Sequence, residues 1–330
     1  MTLPTDLETS RRLCVAPMMA WTDRHCRVLH RIAAPRALLF TEMITANALL
    51  HGPAERLLRY NPSEHPVAIQ LGGSEPAQLA EAARMAAAVG YDEINLNVGC
   101  PSPRVREGAF GACLMLEPAR VRDCVAAMRA AVAVPVTIKC RLGVDDADSD
   151  ALLDAFIETT SESGCRIYYI HARKALLKGL TPAQNRSVPP LQYERAYRLR
   201  ARFPDLQFIL NGGIEGAAQA LAHLEHLDGV MIGRAAYHDP VELSRTHAAL
   251  FGGAAIDGNR LMQRFLPYMQ DELARGTPLS DLTRHVLGIF AGVPGARAYR
   301  RLLSDAARLR HNQLDLVREA LAAVGLRDAA

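Results

Sequence analysis

Along residues 13–232, short apolar runs bounded by turn residues alternate with longer segments whose apolar positions recur every three or four residues. The runs fall at 13–16, 38–41, 67–71, 93–97, 136–140, 167–170, 208–210 and 230–232, eight in all. Between them lie segments such as PAQLAEAARMAAAVG and PARVRDCVAAMRAAV, each opening at a proline and closing near glycine or Val-Pro, which is the punctuation of helices. Strand, helix and strand in succession make a parallel pair joined by a right-handed crossover. Eight such units predict an α/β fold of the (β/α)8 TIM-barrel type rather than an open doubly wound sheet, whose common orders use about five or six strands. No GxGxxG follows the first run, which also weighs against a dinucleotide-binding sheet.

Beyond the eighth unit the pattern becomes purely helical. A barrel takes about 250 residues, and the chain has 330, so the remainder is an appendage. A boundary near Phe251-Gly252-Gly253 divides it into a barrel over residues 1–250 and a C-terminal all-helical domain over 251–330. Residues 293–326 read as one long amphipathic helix behind Pro294-Gly295. Arg297, Arg300, Arg301, Arg308 and His311 fall within a stripe of roughly 100°, opposite Leu302, Leu303 and Leu309, and Asp315 and Glu319 continue that stripe.

Composition narrows the class. The chain is 49% hydrophobic and 22% charged, which excludes disordered and fibrous proteins. No uninterrupted apolar stretch approaches the roughly 18 residues of a membrane span, and MTLPTDLETSRR lacks an apolar signal region. A cytoplasmic monomer without membrane attachment is the expectation. Seven cysteines without a CxxC pair or clustered histidines point to neither a disulfide framework nor a metal site. Residues 251–330 hold 11 Arg and 8 acidic residues, the whole net charge of +3, so the helical part is the electropositive one. Lysine occurs at only 139, 174 and 178, against 35 arginines. A surviving lysine suggests a site that wants a compact ammonium rather than a planar fork.

Barrel active sites form where strands end, and nearly every run here ends in chemistry. The first leads into Pro17-Met18-Met19, the second into Glu42, the third into Gln70, and the fourth into Asn95, Asn97 and Cys100. Lys139 and Arg141 close the fifth, His171 and Arg173 the sixth, Asn211-Gly212-Gly213 the seventh, and Gly233-Arg234 the eighth. The last two stand where many barrels bind phosphate, glycines letting backbone N–H groups approach an anion and Arg234 adding a fork of donors. A nonprotein phosphate ester in the mouth, its ring facing Lys139, Gln70 and His171, follows. Cys100 lies between Gly99 and Pro101-Ser102-Pro103, a loop that presents its thiol rigidly; the other six cysteines read as buried packing residues.

These motifs carry a resemblance. Pro17-Met18, Thr41-Glu42-Met43, Gln70-Leu71-Gly72, the run from Asn95 through Cys100-Pro101, His171-Ala172-Arg173, Asn211-Gly212-Gly213-Ile214 and Gly233-Arg234 resemble the tRNA-dihydrouridine synthase family, and HARKALLKGLTPAQNRSVPPL resembles its A subfamily. The resemblance implies an FMN enzyme that uses NADPH to reduce the C5=C6 bond of uridines 20 and 20a in the tRNA D-loop. Cys100 would then donate the proton, Lys139 face the flavin N1–C2=O edge, and Gln70 bind its pyrimidine edge. Pro17, Met18, Met19, His171, Asn211, Gly212, Gly213, Gly233 and Arg234 would complete the cofactor site. Asn97 is similar to the family residue that meets the target uridine. Arg141, Arg173, Gln184 and Arg186 on the barrel rim, with Arg297, Tyr299, Arg300 and Arg301 on the helix, would contact tRNA; Tyr299 stands where some relatives have Trp. Three rivals remain at this level: a Schiff-base aldolase with Lys139 as nucleophile, a non-catalytic RNA-binding protein, and a flavin oxidoreductase acting on a free pyrimidine.

Overall fold

A computed structural model describes residues 6–325 except 104, 106 and 107; the outermost residues of the two expected segments, 1–5 and 326–330, lie outside the described residues. Eight parallel strands close into a barrel in sequence order: β1 (Leu13–Val15), β2 (Leu38–Thr45), β3 (Val67–Gly72), β4 (Glu93–Val98), β5 (Val136–Arg141), β6 (Ile167–His171), β7 (Gln207–Asn211) and β8 (Gly229–Ile232). Closure is made by β8 pairing with β1, Leu13 opposite Val230. The expected (β/α)8 barrel is therefore the fold. The largest difference in strand length is at β2, which runs four residues past the apolar run. A register shift between Phe40 and Met43 lets the polar Thr41-Glu42 pass through the sheet, and the Thr41 hydroxyl accepts the Gln70 N–H at 3.1 Å.

The helices form for the reasons their punctuation suggests. Pro76–Val89 has Pro in its first turn and ends on Gly90 in the left-handed region at φ 100°, a conformation glycine adopts without steric cost. Its Leu79, Ala82, Ala83 and Ala86 are fully buried in the layer between barrel and helices. Inside the barrel the filling is divided. Cys14, Leu38, Phe40, Ala68, Tyr169, Ile209 and Met231 form a separate apolar cluster, with Phe40 and Tyr169 edge to face at 5.0 Å. The facing positions of β3, β4 and β5 are instead polar: Gln70, Glu93, Asn95, Asn97 and Thr137, all buried.

The barrel's last helix, Pro240–Phe251, ends at Gly252, and both Gly252 and Gly253 have positive φ before the helix Gly258–Ala274 begins. Leu261, Met262, Phe265 and Met269 of that helix share one continuous apolar core with Val28 and Leu29 of the barrel helix Arg24–Ala33. The single long C-terminal helix expected from sequence is not formed. The segment is three helices, Ala296–Leu303, Ala306–Leu309 and Asp315–Ala322. Asp305 ends the first by capping the second, accepting the N–H groups of Ala307 and Arg308 at 3.0 and 3.2 Å, and Asn312 turns the chain at φ 54°. Arg308 consequently leaves the arginine stripe and pairs with Glu319.

Charge fastens the helical part to the first barrel loop. Asp23 caps Arg24–Ala33 and also meets His285 at 3.0 Å and Arg284, while Arg24 meets buried Glu272 at 2.6 Å. Burial opposes ionisation of Glu272, but hydrogen bonds from Thr277, Arg24 and Arg275 outweigh it and hold this carboxyl at about 2, below its ordinary 4.5. A depressed folded-state value contributes stability above the unfolded value, lost as pH falls toward the folded one. The melting-temperature difference between wild type and Glu272→Gln is therefore expected to be full at neutral pH and to shrink as pH falls from 4.5 toward about 2. A difference that does not change with pH contradicts the ion-pair assignment.

Candidate active site

At the C-terminal ends of the strands opens a cavity of about 1440 Å³. Sites for one small molecule run to roughly 300–1,000 Å³, so this one has room for a cofactor and a second ring together. Every residue expected at the cofactor site lines it: Pro17, Met18, Met19, Gln70, Lys139, His171, Asn211, Gly212, Gly213, Gly233 and Arg234. Cys100, Asn97, Arg141 and Arg186 line it too. Met19 is the outlier in environment, 61% exposed at the rim.

A run of buried side-chain hydrogen bonds leads up to Cys100. Asn97 Oδ1 accepts the backbone N–H groups of Gly99 and Cys100 at 3.1 and 3.0 Å, and its Nδ2 donates to Gln70 Oε1 at 2.8 Å. Gln70 Nε2 donates to Asn95 Oδ1, and Asn95 Nδ2 donates to the Thr137 hydroxyl, at 2.8 and 2.9 Å. Thr137 and Tyr169 both donate to Glu93 Oε1 at 2.8 Å, and Arg11 meets Glu93 Oε2 at 2.8 Å. The Cys100 carbonyl in turn accepts the Ala112 N–H at 2.9 Å. The thiol, half-buried, thus stands on backbone held from both sides. Asn95 spends both amide atoms on this internal chain, so it is a satisfied buried amide rather than a cavity group.

The wall at the ends of β7 and β8 could hold an anion. Gly212 and Gly213 have φ 114° and 72°, and a Cβ at Gly213 would stand 2.6 Å from Leu191 Cδ1 and 2.7 Å from the Tyr193 hydroxyl, so only glycine fits. The N–H groups of Gly212, Gly213 and Arg234 have no hydrogen-bond partner among the described residues. Lys139 Nζ donates to Asn211 Oδ1 at 3.0 Å, and Asn211 Nδ2 to the Met231 carbonyl at 2.7 Å. Burial, reinforced by Arg141, brings Lys139 down to about 8. Burial and the surrounding cations Arg141, Lys139, Arg173 and Arg186 push His171 well below its ordinary value. His171 is therefore a neutral imidazole, and its Nδ1 is buried without a partner among the described residues.

Several expected tRNA contacts sit differently. Arg141 is buried, its guanidinium spread over the carbonyls of Gly99, Lys174 and Asn185 at 2.9, 3.1 and 2.9 Å. It binds two loops of the protein together through Nε and Nη1, and the residue also lines the cavity. Tyr299 is fully buried, its hydroxyl on the Val286 carbonyl and its ring edge to face with Phe290 at 4.9 Å; it packs the helical part and presents no outer surface. Arg173 donates to the Pro189 carbonyl, Gln184 is exposed and accepts the Thr181 N–H, and neither lines the cavity. Arg186, Arg297, Arg300 and Arg301 are exposed, with no carboxylate partner among the described residues. Sequence inspection passed over Trp21, stacked on Tyr237 at 4.5 Å, and Arg56 and Arg59, all of which line the mouth. It also passed over Glu93 and Thr137, although Glu93, Asn95 and Asn97 at every second position of β4 mark one polar face.

A model of the dihydrouridine synthase (Dus) family matches residues 14–324. The chain belongs to that family. It is 55% identical over 317 residues to the tRNA-dihydrouridine(20/20a) synthase of Xanthomonas campestris pv. campestris, covering 96% of this chain and 95% of that one. The tRNA-dihydrouridine(20/20a) synthases of Vibrio cholerae serotype O1 and Escherichia coli K12 are 51% and 50% identical, over 97% and 92% of their own lengths.

The bridging role of Arg141 is open to test. Hydrogen bonds from a charged group contribute about 1.5–3 kcal/mol each in favourable cases, and three carbonyls depend on this one. Arg141→Met is expected to lose roughly 3 kcal/mol in urea unfolding and to open residues 174–190 to limited proteolysis. Unchanged stability and protease resistance contradict the assignment.

Proposed function

We propose that this Dus-family enzyme reduces the C5=C6 bond of uridines 20 and 20a in the tRNA D-loop to 5,6-dihydrouridine, with FMN as resident cofactor and NADPH as reductant. The observation that carries the reading is the Cys100 thiol, pinned on rigid backbone at the mouth of a cavity roomy enough for a flavin and a uracil. The residues fit FMN on three counts. Gly212, Gly213 and Arg234 bring N–H groups without a partner among the described residues to one wall, suited to a phosphate. His171 offers a buried ring nitrogen without a partner among the described residues. Lys139 places a compact cation opposite Asn97 in the β4–β5 register, and it would balance negative charge on a reduced flavin. Gln70 and Asn97 each keep one amide N–H beyond those spent on the internal chain, so they can hold ring edges.

When bound, FMN supplies the hydride that C6 of uracil receives. The chain's part is to place the uracil and complete the addition. Cys100 donates its proton to C5 as general acid, in a cavity that Lys139, Arg141 and Arg186 also line, and water restores the proton. A D-loop uridine reaches the cavity only by leaving its stack. In this reading the barrel, residues 1–250, does the chemistry with Arg186 at its rim. The helical part, 251–330, grips phosphates through Arg297, Arg300 and Arg301. The protein acts as a cytoplasmic monomer, without metal or membrane. Family membership and the near-full-length relatives set the aldolase, the non-catalytic binder and the free-pyrimidine reductase aside.

The reading is tested by giving the FMN-loaded protein NADPH and unmodified tRNA and mapping the product by mass spectrometry. Two added hydrogens at D-loop uridines are expected; a protein that retains no flavin, or tRNA of unchanged mass, overturns it. Cys100→Ala is expected to slow tRNA reduction by about 10²–10⁴-fold while reduction of the flavin by NADPH persists. Wild-type turnover reassigns the acid. Replacing Arg297, Arg300 and Arg301 together by Ala should weaken tRNA binding and flatten its salt dependence by about three units of slope at most. A slope equal to wild type means that the RNA docks elsewhere.

A further inference from the structure

The geometry points to Glu93 and Thr137, at the far end of the barrel interior from the cavity, as positioning residues that fix the Cys100 loop through three intervening amides. The inference rests on the assignment of Cys100 as proton donor. Two ends of the chain cannot reverse. At the upper end, Gly99 and Cys100 offer backbone N–H groups, which only donate, so Asn97 must turn its oxygen toward them. Its nitrogen then faces Gln70 and demands an oxygen there. Gln70 must in turn give its nitrogen to Asn95, and Asn95 its nitrogen to the Thr137 oxygen. That leaves the Thr137 hydrogen to be accepted, and the Glu93 carboxylate accepts it.

Each amide could otherwise be turned end for end at little steric cost, because its oxygen and nitrogen are nearly the same size. The upper end opposes the turn at Asn97, and the lower end opposes it at Thr137. Arg11 and Tyr169 also point their donors at Glu93, so no donor is available there to serve a reversed chain. A reversed Asn97 would put its NH₂ against the Gly99 and Cys100 N–H groups and expel the loop from its place. The carboxylate therefore biases, from the barrel floor, the state in which the thiol stands where a uracil can meet it. Glu93 touches no cavity group, which is why it acts on position and not on the chemistry.

Thr137→Val, Thr137→Ser and Ile138→Val separate this from a general loss of packing. Glu93→Gln would leave Arg11 buried without its partner and risks the fold, so the cut is made at Thr137, where the Arg11–Glu93 pair stays intact. Val removes the relay hydroxyl and keeps the shape; Ser keeps the hydroxyl and loses a methyl. Ile138, in the outer core between barrel and helices, supplies a comparable core loss outside the chain. Hydrogen exchange by mass spectrometry of the peptide holding Gly99 and Cys100 is measured in all three, with kcat and KM for tRNA. Thr137→Val is expected to speed that exchange and lower kcat, each by about tenfold, with KM within about twofold. Thr137→Ser and Ile138→Val are expected to match wild type in both. Unchanged exchange in Thr137→Val overturns the relay, and faster exchange with unchanged kcat overturns its part in catalysis. A loss shared equally by Ile138→Val reduces it to packing. If wild type itself leaves tRNA unreduced, the proposed function falls, and the exchange measurement still decides the relay.

Discussion

A hydrogen-bonded chain with a pure donor at one end and a pure acceptor at the other can run in only one direction. In this barrel that chain joins the Cys100 backbone to Glu93 through Asn97, Gln70, Asn95 and Thr137, and the form of the site depends on it. Each bond adds about 0.5–1.5 kcal/mol net, but a buried member left unpaired costs about 1–3 kcal/mol. The chain is therefore kept whole or lost as a unit. It also explains why half of the barrel interior is polar: β3, β4 and β5 supply its members, while Phe40, Tyr169, Ile209 and Met231 fill the other half.

Charge is distributed with the same economy of purpose. Carboxylates are spent holding the structure together, Glu93 on Arg11, Glu64 on Arg27, Glu272 on Arg24 and Asp23 on Arg284 and His285. The cations of the mouth are left over. Lys139 faces an amide, Arg141 faces carbonyls, and Arg186 has no acidic partner among the described residues. A cavity so lined suits an anionic ligand and keeps His171 neutral, and the exposed arginines of Ala296–Leu303 extend the positive surface onto the helical part. The ion pairs at Asp23 and Glu272 join that part to the loop that carries Pro17 and Met18, so the exposed arginines are tied to the barrel mouth.

Much of the fold was legible because a parallel barrel writes itself as short apolar runs between punctuated helices, and all eight runs are strands. The residues that line the cavity were legible for a related reason: glycines and lone polar residues at strand ends have few other uses. Three things were not. The break at Asp305 was hidden because an amphipathic stripe continues past it, although Ser304-Asp305 and Asn312 are capping and stop signals. Tyr299 was misplaced and the carbonyl bonds of Arg141 were missed, because residue type does not say whether a tyrosine on a helix faces outward or whether a guanidinium meets carbonyls. The hydrogen-bonded chain was missed because its links come from different strands, and only the register of β3, β4 and β5 sets Gln70 beside Asn95 and Asn95 beside Thr137.

The direction of that chain is directly observable by neutron diffraction from crystals exchanged into deuterium oxide. Deuterons are expected on Asn97 Nδ2 toward Gln70 Oε1, on Gln70 Nε2 toward Asn95 Oδ1, and on Asn95 Nδ2 toward Thr137. The hydroxyl deuterons of Thr137 and Tyr169 should both point at Glu93. An amide turned the other way at Asn97, Gln70 or Asn95, or a Thr137 deuteron aimed away from Glu93, would contradict the claim that the barrel floor orders the active-site loop.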